Sequence, residues 1–539
     1  MSDIDNKDRV IIHEEEEEED VEQDNSRAIS PVEVAPTHGS RYIIYDAEAR
    51  ANRVNTTKER KFRNIITIIA SGFALISDGY VNGSMSMLNK VFAMEYGSKV
   101  NYTSKVATRV SNASLVGIIF GQFFMGIAAD YYSRRSCILI ATVILVTGSA
   151  LCAASHGTTV PGMFWMLTVM RGLVGIGVGA EYPTSTLSAN ESANEYTTKR
   201  RGGILVLVTN LPLSFGGPFS SIIFLIVYRI CKGTKHLEAV WRTIFALGCF
   251  WPLTVFYFRW KTATTEIYEK GRIKRKIPYI LAFKFYWKRL LGTCGTWFMY
   301  DFVTFPNGIF SSTIISAVIK DKNNLEKIAE WNLLLGTLSC LGVPIGAYLS
   351  DRIGRKYTLM IGFSGYIVFG LIIGCAYDQL SKITPLFIIF YAFMNMLGST
   401  GPGDMLGVIS SESYSTAVRG VFYGISAVTG KIGSVVGVEC FQPIRNHLGA
   451  RWTFIIAAIC GLLGVLITYF LVPHSLESDL MKQDVEFHNF LVSNGWTGKM
   501  GFDEEMEKSE EVSCESGIEE SDSINKKNGE VISVRDIDP

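Results

Sequence analysis

The sequence predicts an all-α membrane protein of twelve transmembrane helices in two halves of six. Three observations carry that prediction. Apolar runs of about 20 residues, long enough to cross a ~30 Å hydrocarbon core, recur through the middle of the chain. One loop pattern occurs twice, as Gly126-Ile-Ala-Ala-Asp130-Tyr-Tyr-Ser133-Arg134-Arg135 and as Ala347-Tyr-Leu-Ser-Asp351-Arg352-Ile-Gly354-Arg355-Lys356. Each copy lies between two apolar runs, and repetition of this kind marks a chain built from two similar halves. Composition agrees: 539 residues are 48% hydrophobic and only 19% charged, with mean hydropathy +0.22. A soluble chain of this length would need several domains with polar surfaces.

The elements follow in order. Residues 1–60 form a polar tail containing Glu14 through Glu19 and Asp20. Such a run repels itself and builds no core, so the tail is expected to be disordered. The twelve spans are expected near 64–92, 106–129, 137–155, 162–189, 202–229, 240–258, 288–318, 329–350, 357–376, 384–408, 417–440 and 451–472. They divide the chain into an N-terminal half over 61–258, a basic linker over 259–287 and a C-terminal half over 288–473. An acidic tail over 474–539 follows. An even number of spans puts both termini on one side. The basic hairpins and Lys274-Arg275-Lys276 of the linker fall there too, which makes it the cytoplasmic side. The acceptor pattern Asn101-Tyr-Thr103 lies in an outer loop, where it marks a site for N-glycosylation.

Charges inside the spans are the main functional signal. An ionisable side chain at mid-bilayer costs at least ~2.5 kcal/mol, so it normally faces a cavity or a partner. Asp78, Arg171, Glu181, Asp301, Asp404, Lys431 and Glu439 are the candidates. A plain interhelical ion pair is the competing reading for each, and is favoured for Glu439 near a span end. Trp297, Asp301 and Phe305 repeat at i, i+4 and i+8, so one helix face offers two aromatic walls and a carboxylate. Pro306 and Gly308 then weaken that helix. Span four carries Arg171, then Gly175, Gly177 and Gly179, then Glu181-Tyr182-Pro183. Its glycines permit close packing, and the flanking charges suggest a proton or anion pathway. Gly401-Pro402-Gly403-Asp404 is a broken-helix signal in span ten. Lys431 in span eleven is the natural fixed cation for an anionic substrate. Asp130, Arg134, Arg135, Asp351, Arg352, Arg355, Glu412 and Arg419 are expected to act as gates at the cytoplasmic hairpins, with Glu412 and Arg419 read as a pair.

The sequence also bounds what the protein is not. The ten cysteines are scattered through apolar segments and read as buried side chains, not disulfides or metal ligands. No constellation supports catalysis, a metal, a cofactor or nucleic-acid binding. The expected partners are a small anion, protons and the lipid bilayer, with the protein as a monomer.

Over roughly 60–475 the chain resembles the major facilitator superfamily, on the doubled hairpin and on Arg171-x-x-x-Gly175-x-Gly177-x-Gly179. More narrowly it resembles the phosphate:proton symporter branch. Ala180-Glu181-Tyr182-Pro183 matches that branch's Gly-Asp-Tyr-Pro, Trp297 and Asp301 match its Trp-x-x-x-Asp, and Gly430-Lys431 and Asp78 match as well. Asn210 aligns approximately with an amide side chain that holds phosphate. Two departures stand out: Phe305 replaces the branch's Tyr, and Gly403-Asp404 follows Gly401-Pro402 where the branch has Gly-Pro-Asn. The Gly-Pro-Gly-Asp form is similar to that of fungal glycerophosphodiester permeases. The resemblance implies proton-coupled import of glycerophosphocholine or glycerophosphoinositol at the plasma membrane. It implies substrate contacts from Tyr182, Asn210, Trp297, Asp301, Phe305, Asp404 and Lys431. Asp78, Glu181 and Asp301 would be the proton-linked carboxylates, with Arg171 tuning a neighbouring one. An inorganic phosphate:proton symporter and a nutrient sensor on the same fold are the alternatives.

Overall fold

The computed structural model describes residues 58–97, 102–131, 134–196, 201–260, 277–319, 321, 323–473, 480–498 and 500. Most of both expected tails, the centre of the basic linker and the acceptor Asn101 lie outside them. So do the side chains of Asp130, Arg134 and Arg135, although the backbone there is helical.

The described residues form twelve spans. The N-terminal half comprises Lys58–Glu95, Ser104–Tyr131, Arg134–Ala153, Val160–Tyr196, Arg201–Ile230 and a sixth span in two pieces, Leu237–Leu247 and Phe250–Trp260. The C-terminal half begins with Tyr279–Ile309 and its continuation Ser311–Val318, then Leu325–Cys340 with Gly342–Arg352, then Arg355–Cys375. Span ten is Thr384–Gly398, a π-helical turn over Ser399–Gly403, and Asp404–Glu412; Arg419–His447 and Arg451–Leu471 complete the bundle. Eight spans are by themselves long and apolar enough to cross a membrane. Spans six and ten are built from pieces shorter than a crossing, and each acts as one span only through its partners. We call the end of the bundle that holds Lys58 and Leu471 the inner end, and the opposite end the outer.

The glycine run of span four is a packing seam. A Cβ on Gly175 would lie 2.1 Å from the Ser114 carbonyl oxygen of span two, and one on Gly177 2.7 Å from the Leu145 nitrogen of span three. The backbones therefore touch on two sides, the use that small residues have between membrane helices. Span ten breaks where the sequence indicates. Pro402 lacks the N–H that an α-helix would use, and Gly401 presses on Gly362 of span nine at 2.5 Å from a built Cβ to the Gly362 Cα.

The largest departures from the sequence expectation are at the inner end. Span seven starts at Tyr279 rather than near 288, and a further helix, Leu480–Ser493, occupies part of the stretch read as tail. The two explain each other. Phe285 and Tyr286 of span seven pack on Phe487 and Phe490 of the last helix, with Tyr414 and Phe422 completing a second small core. Burying these rings stabilises a helical turn that the polar composition alone would not hold.

Candidate functional site

The centre of the bundle is organised around Lys431. Its Nζ lies 2.9 Å from Asp301 Oδ2, and the two side chains are 12% and 2% exposed. The ammonium also sits 3.8 Å from the centroid of the Phe305 ring, one helical turn from Asp301. Ser434 Oγ, one turn along span eleven, donates to the same Asp301 oxygen at 3.2 Å. Spans seven and eleven are thus joined by a desolvated pair with a second hydrogen bond. That arrangement fixes position better than it adds stability, because desolvation offsets most of the Coulomb attraction. Glycine at 430 brings the two spans together: a Cβ there would lie 2.2 Å from Trp297 Cδ1. Trp297 continues into an aromatic cluster, with Tyr423 at 5.7 Å and Tyr182 at 6.4 Å between ring centroids. Tyr182 belongs to the other half, so the cluster spans the boundary.

Two more carboxylates come from the N-terminal half. Asp78 accepts a 2.5 Å hydrogen bond from Asn82, and Lys431, Glu181 and Asp301 all lie within its electrostatic reach. Glu181 is buried at 3% exposure. The structure therefore gathers Asp78, Glu181, Tyr182, Trp297, Asp301, Phe305 and Lys431 into one region between the halves.

Three predicted site residues are placed differently. Asn210 donates to the carbonyls of Gly403 and Asp404 at 3.2 and 3.1 Å. It holds the freed backbone of the π-helical turn across the boundary of the halves. The Asp404 carboxylate, 1% exposed, faces span eight, where its Oδ2 would lie 2.2 Å from a Cβ on Gly346. Arg171 donates from Nε to the Val110 carbonyl at 3.0 Å and stands over the Phe245 ring. It lies about 15 Å of helix outward from Glu181, at ten residues and 1.5 Å rise each. None of the partners found for it among the described residues is a carboxylate, so the tuning expected of Arg171 has no geometric basis.

The structure also adds groups that the sequence did not single out. Tyr300 stacks on Tyr366 at 6.3 Å, and its hydroxyl would lie 2.8 Å from a Cβ on Gly403. Tyr366 Oη shares a 2.7 Å hydrogen bond with Thr304. The hydroxyl missing at Phe305 thus has counterparts one helix face away. Tyrosines and serines are common in membrane helices, so only their neighbours mark Tyr300, Tyr423 and Ser434 as functional.

Residues 64–487 match the sugar (and other) transporter family. The chain belongs to that family. Its members' fold is the one seen here: the proton:xylose symporter XylE of E. coli superposes with a TM-score of 0.65 at 18% identity, covering 80% of this chain and 99% of that one. The chain is 81% identical over 519 residues to glycerophosphoinositol transporter 1 of Saccharomyces cerevisiae, covering 96% of this chain and 100% of the relative. It is 56% identical to glycerophosphoinositol permease 1 of Candida albicans, over 93% and 97% of the two chains. A probable inorganic phosphate transporter of rice is a distant relative at 24% identity, over 78% and 91%. These proteins are membrane transporters rather than enzymes, and this chain is a transporter of the major facilitator type.

Of the two hairpins expected to act as gates, the second is fully described. Asp351 Oδ1 accepts from the Gly203 N–H at 3.0 Å, so a carboxylate of the C-terminal half caps the first turn of span five in the N-terminal half. Arg355 binds Glu412 at 3.0 Å, with both side chains buried. The structure therefore joins Glu412 to the second hairpin, a contact that the spacing between Glu412 and Arg419 did not suggest. Arg419, fully buried, donates to the Tyr414 carbonyl at 3.1 Å. Arg352 stays at the surface over the Tyr348 ring.

The last helix docks on the link between spans ten and eleven. Asp484 accepts from Ser415 Oγ, Thr416 N and Thr416 Oγ1 at 2.6–2.7 Å, and Gln483 donates to the Glu412 carbonyl. Burial pushes the Asp484 carboxyl above its ordinary range, while Arg419 and the two hydroxyl residues pull it back. The outer end is closed as well. Ser86 bonds Ser311 and Ser312 across the halves at 2.7 and 2.6 Å, and Asn112 donates to Glu439 at 2.7 Å. Contacts between halves at both ends describe an occluded bundle.

Proposed function

We propose that this chain imports glycerophosphodiesters together with protons, by alternating access, through a site centred on Lys431. The observation that carries the reading is the Asp301–Lys431 pair between the halves, backed by the high identity to glycerophosphoinositol transporters. A phosphodiester carries one negative charge and needs one buried cation. Lys431 is that cation, but in the occluded bundle Asp301 already occupies it. An incoming anion displaces Asp301, and the displaced carboxylate is tolerable in this setting only if it takes up a proton. Anion and proton binding therefore favour each other, which is the physical basis of symport. Asp78 and Glu181 extend the proton-linked set into the other half. Trp297, Tyr182 and Tyr423 enclose the organic part of the substrate.

Phe305 and Gly403 favour the diester over inorganic phosphate. Phosphate offers more oxygens and more charge to donors, whereas a diester keeps two free oxygens and brings bulk. Asn210 is the partner of a bent backbone in this state, and it becomes a substrate donor only if span ten moves. The protein is placed as a monomer in the plasma membrane, with both termini and the inner gate in the cytoplasm.

The test is uptake of labelled glycerophosphocholine and glycerophosphoinositol in cells lacking their own permeases. Uptake is expected, falling as external pH rises and collapsing with a protonophore. Strong competition by free phosphate would return the reading to a phosphate symporter, and surface expression without flux would favour a sensor.

A further inference from the structure

The central pair leaves unexplained how a dilute anion reaches an occluded, mostly apolar bundle. A second cavity bears on this. It lies at the outer end between spans two, four and eleven and has a volume of about 760 Å³, ample for a small organic ligand. Polar and cationic side chains line it beside Ala113, Val116 and Pro443. Lys105 and Arg109 are consecutive turns of span two, and His447 with Gln442 come from the outer end of span eleven. The Arg109 guanidinium lies flat over the Trp165 ring, 3.8 Å from the centroid, while its Nε is buried without a hydrogen-bond partner. A buried guanidinium N–H with no partner calls for an acceptor.

The cavity floor is the Asn112–Glu439 hydrogen bond, which joins the two halves. Glu439 is its one carboxylate, and one of that group's oxygens is engaged by the Asn112 amide. Lys431 lies eight residues inward of Glu439 on the same span, about 12 Å by helical rise. The cavity thus lies at an outer contact between the halves, outward of the central cation. We propose that it is an outer capture site for the phosphodiester monoanion, held by Arg109 and Lys105, from which substrate passes to Lys431 when the Asn112–Glu439 contact opens. Arg109 supplies a planar fork suited to the two free oxygens of a diester, and Trp165 holds that fork in place. The amides of Gln442 and Asn112 suit the hydroxyls of the alcohol.

The inference rests on the proposed substrate class, so its test must separate the two. The phosphodiester group is shared by a free glycerophosphodiester and by a phospholipid headgroup, and the experiment must separate those sources also. Uptake of labelled glycerophosphocholine is measured in cells for the unmodified protein, Lys105→Gln, Arg109→Gln, the double variant and Arg109→Lys, each normalised to surface expression. Lys105 is exposed, so its replacement does not threaten folding. The double variant is expected to raise apparent KM about tenfold, with maximal rate changed less than twofold and the salt dependence of KM flattened; Arg109→Lys retains most of the affinity. In detergent, full-length Lys431→Gln protein is expected to keep a weak, salt-sensitive binding of glycerophosphocholine that the added double substitution removes. Short-chain phosphatidylcholine serves as the competing arm. Uptake with KM and salt dependence unaltered in the double variant overturns the capture site and leaves the transport reading intact. Residual binding of the lipid but not of glycerophosphocholine overturns it in favour of a lipid site. Absence of any glycerophosphodiester uptake by the unmodified protein removes the transport reading, and the capture site with it.

Discussion

Replacing Lys431 is the sharpest test of the central site. Two unit charges about 4 Å apart attract by about 4 kcal/mol at the effective dielectric that reproduces most protein pairs. A phosphodiester seated on Lys431 has this as its ceiling, close to three decades of affinity at 1.4 kcal/mol per decade. Desolvation and the competing Asp301, 2.9 Å away, take part of it back. Lys431→Gln is therefore expected to weaken apparent affinity by one to three decades. Lys431→Arg keeps the charge, but its planar fork must fit where a compact ammonium lies between Asp301 and the Phe305 ring. It should impair transport less than Gln and still fall well below the unmodified protein. The cycle of Lys431→Gln with Asp301→Asn sharpens the test. Each single change strands a buried partner, so the double variant should be less damaged in folding and surface level than the sum of the two. The assay is concentration-dependent uptake of glycerophosphoinositol and glycerophosphocholine at matched surface expression. Unchanged apparent affinity in both Lys431 variants would place the anion elsewhere and refute the reasoning.

Asp301→Asn is nearly isosteric and should abolish uptake while surface expression persists; normal uptake at normal surface level would remove Asp301 from the mechanism. Phe305→Tyr restores a hydroxyl beside Lys431 and should strengthen competition by free phosphate several-fold, measured as inhibition of glycerophosphodiester uptake. Adding Gly403→Asn should increase that shift but lower expression, because a Cβ at 403 already lies 2.8 Å from the Tyr300 hydroxyl. Asp484→Ala leaves three donors of Ser415 and Thr416 unpaired and should weaken docking of the last helix by about 3 kcal/mol. Hydrogen exchange over 483–493 should rise accordingly, and unchanged protection would dismiss Asp484 as the anchor of the last helix.

The parts of this architecture that were legible in the sequence are those the bilayer makes expensive. Apolar length located the spans, and charges inside them located Asp301 and Lys431, since a carboxylate and an ammonium in facing helices have few alternatives to each other. The break at Gly401-Pro402 was legible because proline removes a specific hydrogen bond. What stayed hidden has cheap local alternatives. Tyr300 and Ser434 look like ordinary residues of a membrane helix until their neighbours are known. The glycines of span four read as permitting close packing and, with their flanking charges, as part of a pathway; which neighbours they pack on, the Ser114 and Leu145 backbones, the sequence did not show. Arg171 shares a helix with Glu181, but ten residues of rise separate them. The last helix was invisible because its stability comes from Tyr286 and Phe422, which are far away in sequence.

The gates and the site share one logic. Asp351, Glu412 and Asp484 each place a carboxylate on N–H or cationic groups at the inner end, and of these bonds the one from Asp351 to Gly203 joins the two halves and must break for that end to open. None of them touches the substrate, so the substrate must release that end indirectly. Span ten provides the connection. Its inner end is Glu412, its middle is the π-helical turn held by Asn210 of the other half, and its Gly403 lies against Tyr300, the neighbour of Asp301 in span seven. On the proposed mechanism, an anion that takes Lys431 from Asp301 frees span seven to shift against span eleven, and Tyr300 carries that shift onto Gly403. A turn with no proline N–H and two glycines is the weakest point of span ten, so the movement is expected there. The departure from Gly-Pro-Asn that marks the substrate preference therefore falls on the same residues that link the site to the inner gate.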